Sequence, residues 1–391
     1  MKTIFIALIL LLSCPALAGD LGKKAQEINQ RALVFDAHCD TVMRILEKGV
    51  DLGVRSKEGH IDIPRARQGG LNVQVFAMWI EPDFWPHRAA FRTLQYADAM
   101  FRTLKKHSGK LGLALTAKDA RRLVKDGKLA VFLGIEGGHA IEDSLATLRM
   151  FHRLGVRVMT LTWWHNTNWA DGSGDKPKHK GLTKFGVEVV REMNRLGMVI
   201  DVSHVSDDTF YDVLKVTTKP VIASHSCVRA ICDHHRNLSD KMLKALAKNG
   251  GVIGINYYLG FLDPEVNRRE EALWKKLDPE MEKLKKKYKN DRKTLVKKRR
   301  ELFRKYRTKP PAVPIDRLID HIDHVVKVAG VDHVGLGSDF DGCSITPQGL
   351  NDVSDLPLIT EKLLEKGYSE KNIEKILGGN MLRVFEAAIG E

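Results

Sequence analysis

None of the five cysteines stands in a Cys-x-x-Cys pair, so nothing points to a structural zinc knuckle. The apolar run at residues 4–12 is far shorter than the about 20 residues a transmembrane helix needs. The first apolar strand is followed by HCDTVMRILEKG and not by a glycine-rich phosphate turn, which argues against a doubly wound nucleotide fold. Internal repeats, low-complexity tracts and an obvious interdomain linker are also missing. These absences leave one large domain, of a size that single barrels routinely reach.

The chain opens with MKTIFIALILLLSCPALAGD. Lys2, an apolar run and the small-residue sequence Ala16-Leu17-Ala18 read as a cleaved secretory leader over residues 1–18, ahead of a domain at 19–391. The competing reading takes Leu11-Leu12-Ser13-Cys14 as a lipoprotein signal that tethers the chain through acylated Cys14. Either way the protein is expected to be exported, periplasmic or secreted. Its other cysteines, Cys39, Cys227, Cys232 and Cys343, would then sit where disulfides are permitted, with a pairing that sequence alone does not reveal.

The formal net charge of +14 raises the question of a nucleic-acid partner, so its location matters. Residues 265–310 hold 19 Lys and Arg against 8 Asp and Glu, a net of +11. Most of the excess therefore belongs to one segment. Met281, Leu284, Tyr288, Leu295, Leu302 and Tyr306 recur there at helical intervals before Pro310-Pro311. A pair of charged helices inserted at about 262–312 is expected, either simply solvated or in contact with an anionic surface, and no nucleic-acid partner is expected.

Eight apolar, β-rich runs punctuate the rest: ALVFDAHCD, NVQVFAMWI, LAVFLGIEGG, VRVMTLTWW, MVIDVSH, PVIASHS, GVIGINYY and HVGLGSDFDG. Segments with helical periodicity lie between them, such as residues 92–107, 144–154, 184–196, 207–216 and 240–248. Continuous apolar strands alternating with helices imply a covered parallel sheet, and eight such units predict a TIM-type (β/α)8 barrel with the basic insertion before its last strand.

Catalytic groups of such barrels sit at the C-terminal strand ends. Here those ends carry His38 and Asp40, which alternation along a strand would aim to the same side, and Glu136, His204, His225 and Asp339. Each residue alone has an ordinary explanation, as a capping or surface group. Together, metal-competent side chains at one end of successive apolar strands would be costly unless a cation compensates them. Three imidazoles and two carboxylates suit zinc or a similar divalent ion, and five ligands divide between two ions with Glu136 as the bridge. Gly134, Gly137 and Gly138 around Glu136 would permit close approach. Asp339, in GSDFDG, is expected to carry a proton between a metal-activated water and a leaving amine.

The words DAHCDT, GIEGGHAIED, LTWWHNTNWADG, IDVSHVS, IASHS, HHRNLSD, GLGSDFDG and GGNMLRVFEA resemble, in order and spacing, the membrane (renal) dipeptidase family of the amidohydrolase superfamily. The resemblance covers nearly the whole mature chain. It implies His38 and Asp40 on one zinc, His204 and His225 on the other, Glu136 bridging, and Asp339 as acid and base. It also makes Arg236 the receptor of the substrate's terminal carboxylate, a role suited to a planar bidentate guanidinium. It implies a small dipeptide substrate, with tolerance for a C-terminal D-residue, attacked by a metal-bridged hydroxide, and a homodimer.

One departure stands out. Where family members often place a His directly after Leu-Thr, this chain has Leu161-Thr162-Trp163-Trp164-His165. Either His165 reaches inward from a shifted turn, or the tryptophans form an apolar wall for a substrate side chain; the wall is the favoured reading. Two rival functions remain at this stage: another amidohydrolase chemistry on the same barrel, and a non-catalytic envelope protein working through the basic insertion.

Overall fold

A computed structural model of the chain describes residues 15–289, 291–306, 310–343 and 345–390. Of the leader expected at 1–18, the first fourteen residues, Cys14 among them, lie outside these, while Pro15–Arg31 is helical.

Nine parallel strands form the sheet: β1 (Val34–Cys39), β2 (Leu71–Trp79), β3 (Leu111–Leu113), β4 (Leu129–Glu136), β5 (Val156–Thr160), β6 (Val199–Asp201), β7 (Ile222–Ser226), β8 (Val252–Ile255) and β9 (Val334–Leu336). Strands β1, β2 and β4 to β9 close into a ring of eight, because β2 pairs with both β1 and β4, and β9 pairs with β1. The expected (β/α)8 barrel is the observed fold, and every residue of β1, β4 and β7 is buried as a doubly covered sheet requires. The short β3 is an addition: it pairs with Leu129–Val131 of β4, whose residues from Leu133 onward pair with β5.

Phe35, Val73, Phe132, Val158, Val199, Ile222 and Val252, each from a different ring strand, share one apolar cluster with Leu382 and Phe385. Side chains from all round a ring meet only in its interior. The C-terminal helix Asn380–Ile389 therefore stoppers the barrel at the end where the strands begin, which leaves the opposite end open for chemistry.

Outer helices are set by local signals. Ser144, Thr183, Ser206 and Ser239 each accept a hydrogen bond from a backbone N–H in the first turn of the helix they precede, and Gly197 in the left-handed region ends Lys184–Leu196. The basic segment forms helices Pro264–Lys287 and Arg292–Tyr306. Leu277, Met281 and Leu302 are buried between them in a small cluster separate from the barrel core. All four cysteines that could have paired are buried free thiols.

Candidate metal centre at the barrel mouth

The six strand-end residues converge. Glu136 is the last residue of β4, His225 lies within β7, and His204 and Asp339 follow β6 and β9 by three residues. The Glu136 carboxylate stands amid three imidazoles: Oε1 is 2.9 Å from His204 Nε2 and 3.4 Å from His225 Nε2, and Oε2 is 3.6 Å from His38 Nε2. His204 Nε2 and His225 Nε2 lie 2.8 Å apart. Across the cluster, His38, Asp40 and Asp339 bring ligand atoms close enough to share an ion.

Asp40 reaches the cluster differently from the expected alternation along a strand. β1 ends at Cys39, and Asp40 occupies the N-cap position of helix Thr41–Lys48 with φ −99°. Its N–H donates to Phe340 O at 2.8 Å, and its carboxylate comes to 3.9 Å from His38 Nε2. Gly342 makes room: a Cβ there would stand 2.1 Å from Asp40 Oδ2 and 2.2 Å from Asp339 Oδ1.

His204 (φ +69°) and Asp339 (φ +57°) are left-handed, a strain of about 1–2 kcal/mol each for non-glycine residues. Tertiary bonds hold it. Ser173 N–H donates to His204 O at 2.7 Å, and Asp339 N–H donates to His38 O at 3.1 Å.

Two buried aspartates brace the cluster from behind. Asp201 accepts from Thr160 Oγ1 and Ser224 Oγ, both at 2.6 Å, and from the N–H groups of Ser203 and Ser224. With its proton committed to Asp201, Ser224 Oγ accepts from His225 Nδ1 at 2.8 Å, which turns the Nε2 lone pair to the cluster. Asp36 accepts from Ser338 N–H and Oγ. Asn256 Nδ2 donates to Asp339 Oδ2 at 3.1 Å.

The electrostatics describe a site short of positive charge. Burial pushes Asp40 up to about 8, with Glu136 beside it adding to the shift. Burial likewise lifts Asp339 to about 6, against the pull of His38. Burial opposes the ionised form of Glu136 too, but His38, His204 and His225 outweigh it and hold the group well below its ordinary range. His204 falls to about 3 through burial and nearby Arg236, and His225 is also held neutral. His38 Nε2, Asp40 Oδ1 and His204 Nδ1 are buried without a hydrogen-bond partner. Burial disfavours the charged form of His38 as well, but Glu136 and Asp40 raise that imidazole well above its ordinary range, so its charge stands in for a cation. Neutral His204 and His225, clustered carboxylates and orphaned ligand atoms fit bound divalent cations.

Arg236 is buried beside this cluster. Its Nη2 donates to His225 O at 3.0 Å and Nη1 to Ser226 Oγ at 3.3 Å, its guanidinium lies 5.2 Å from the Phe261 ring, and Nε has no partner. At the altered motif after β5, His165 is exposed and faces Asp175, Nδ1 to Oδ1 3.0 Å, whereas Trp163 and Trp164 stand 6.3 and 6.2 Å from the His204 ring. Trp79 packs 5.0 Å from Trp163, and Trp85 stacks on His139 at 3.6 Å. Burial lowers His139 to about 4. Sequence reasoning did not single out Trp79, Trp85, His139, Asp36, Asp201 or Asn256. The one available signal was an aspartate inside an apolar strand, in VFDAH and VIDVSH.

A barrel whose C-terminal mouth gathers imidazoles and carboxylates in this way defines a metallohydrolase. The model of the family described as "Membrane dipeptidase (Peptidase family M19)" matches residues 22–389. Dipeptidase 3 of Macaca fascicularis is 33% identical over 379 residues, covering 94% of this chain and 68% of that protein. Dipeptidase tcpJ of Claviceps purpurea is 34% identical over 335 residues, covering 83% and 68%. Among solved structures, the probable dipeptidase PvdM of Pseudomonas aeruginosa superposes with a TM-score of 0.83 at 26% identity, over 95% of this chain and 99% of that one. A metallopeptidase of Rhodobacter sphaeroides, liganded with a phosphinate mimic of L-Ala-D-Ala, gives 0.74 at 26% identity over 91% and 99%. The chain belongs to the membrane dipeptidase family and is a dipeptidase of metallopeptidase family M19.

Proposed function

We propose that the protein hydrolyses the peptide bond of free dipeptides, including those with a C-terminal D-residue, with two divalent cations at the barrel mouth, zinc being the ion its ligands suit best. The observation that carries this reading is the Glu136 carboxylate facing His38, His204 and His225 at 2.9–3.6 Å. His38 and Asp40 would hold one ion, His204 and His225 the other, with Glu136 between them. Bound there, the ions supply a polarised scissile carbonyl and a water acidified toward neutral pH.

The remaining work falls to the chain. Arg236 receives the substrate's carboxylate; its unpartnered Nε is available for this. Asp339, oriented by Asn256, takes a proton and returns it to the leaving nitrogen. In ring order, β2 and β4 lie across the mouth from β7 and β8, with β5 beside β4. A dipeptide held by its carboxylate on the Arg236 side would therefore direct its N-terminal residue toward Trp163, Trp79 and Trp85, which form an apolar wall for that side chain. The D-residue agrees with the ligand named for the Rhodobacter sphaeroides structure.

Export fits the leader at 1–18 followed by a domain at 19–391, with a lipid on Cys14 as the alternative. Among the described residues no helix is long and apolar enough to cross a membrane. A homodimer is part of the proposal.

The test is metal analysis of the exported protein with a panel of L-L and L-D dipeptides, N-acylated amino acids and nucleobases. Two ions per chain and turnover confined to dipeptides are expected. Turnover of acyl amino acids or nucleobases in their place would replace this reading with another amidohydrolase chemistry. Arg236→Lys is expected to raise KM for dipeptides about tenfold to a hundredfold with a smaller change in kcat, since a charged hydrogen bond contributes about 1.5–3 kcal/mol. Initial-rate kinetics on one dipeptide decides it.

A further inference from the structure

The basic helices are rooted at the catalytic rim. β8 ends at Ile255, Asn256 bonds Asp339, Tyr258 Oη donates to Glu270 at 2.7 Å, and the first long helix starts at Pro264. The two helices bury Leu277, Met281 and Leu302 against each other, apart from the barrel core. They form an arm beside the mouth that the barrel does not need for its own packing.

The arm's charge is arranged. At about 100° per residue, Arg268, Lys275, Lys276, Lys283, Lys286 and Lys287 share an arc of about 120° on the side away from Leu273, Leu277, Met281 and Leu284. Of this helix's acids only Glu265, paired with Arg269 at the start of the helix, falls in that arc; Glu270, Glu271, Asp278, Glu280 and Glu282 lie outside it, and all six bases are exposed. Among the described residues, the arm's own ion pairs engage Arg269, Lys285 and Lys298, and leave these six facing solvent. Lys297, Arg300, Arg304 and Lys305 extend the exposed charge onto the second helix.

We propose that the arm docks the enzyme on an anionic phospholipid bilayer, with the barrel mouth held near the lipid surface. Within this helix the stripe from Arg268 to Lys287 runs about 28 Å along the axis, which matches an extended charged plane. The stripe is five lysines and one arginine with no aromatic side chain among them. Mobile ammonium point charges suit a diffuse lipid surface, whereas nucleic acid is gripped by arginine forks and stacked aromatics.

The experiment uses the chain from Gly19 onward, so that no lipid on Cys14 contributes, sedimented with phosphatidylcholine vesicles with or without about a third phosphatidylglycerol. Expected are binding only to the anionic vesicles and a loss of at least about tenfold between low and high salt. The combined variant Lys275→Glu, Lys276→Glu, Lys283→Glu, Lys286→Glu and Lys287→Glu is expected to lose at least about tenfold while dipeptide turnover, which reports folding, stays unchanged. Should that variant fail to fold, Lys283→Glu and Lys286→Glu singly must each weaken binding. Equal binding to neutral vesicles, unaltered binding by the folded variants, or tighter binding to duplex DNA than to anionic vesicles at equal salt would each overturn the proposal.

Discussion

Glu136→Gln is expected to lose bound metal and to slow dipeptide hydrolysis on the order of a thousandfold or more. The amide keeps the shape of the carboxylate and removes its charge. That charge faces His38, His204 and His225 at once, and it stands where two cations would share it. A Lewis-acid cation contributes several kcal/mol of transition-state stabilisation, and each 1.36 kcal/mol is tenfold in rate. Weakening either ion therefore costs about three decades. Burial makes compensation difficult, because Glu136, His38, His204 and His225 are each at most 4% exposed, and little water reaches them to replace the lost charge. Metal content per chain, measured alongside kcat, decides the matter: a fully loaded Gln variant with near-normal kcat would remove Glu136 from the bridge.

Asp339→Asn should behave differently. The expected outcome is a fall in kcat of about a hundredfold to ten-thousandfold, the range for a positioned proton carrier, with metal content retained. In the proposed division Asp339, whose backbone is left-handed and whose carboxylate accepts from Asn256, serves the proton and not the five-ligand set, and an isosteric amide would leave the ligands where they are. The two variants read against each other separate holding a metal from moving a proton. If both lost metal equally, Asp339 would be a ligand and the division of roles proposed above would fail.

The barrel and the converging residues were legible because both are written locally. Each ring strand is a continuous apolar run, and the runs containing His38, Glu136 and His225 break that apolarity with a polar group at or near their ends. The short β3 was not legible, since Leu111–Leu113 is too brief to carry a period. Asp40 was expected to share a face with His38 by strand alternation and reaches the same place from a helix cap. The tryptophan cluster was only half visible: Trp163 and Trp164 interrupt a recognisable motif, but Trp79 and Trp85 come from another strand and its following turn, and no spacing links them.

By itself, then, the sequence determined the secondary structure of the ring, the chemical types at its mouth and the placement of positive charge in one arm, because apolar periodicity and residue type act over a few neighbours. Tertiary structure alone decided which atoms face one another. Asp201 orients His225 through Ser224 and also ties Thr160 of another strand, Gly342 admits two carboxylates at once, and His165 turns outward while two tryptophans take the inner position. Those outcomes depend on contacts between residues far apart in the chain, whose distances are set only when the ring closes.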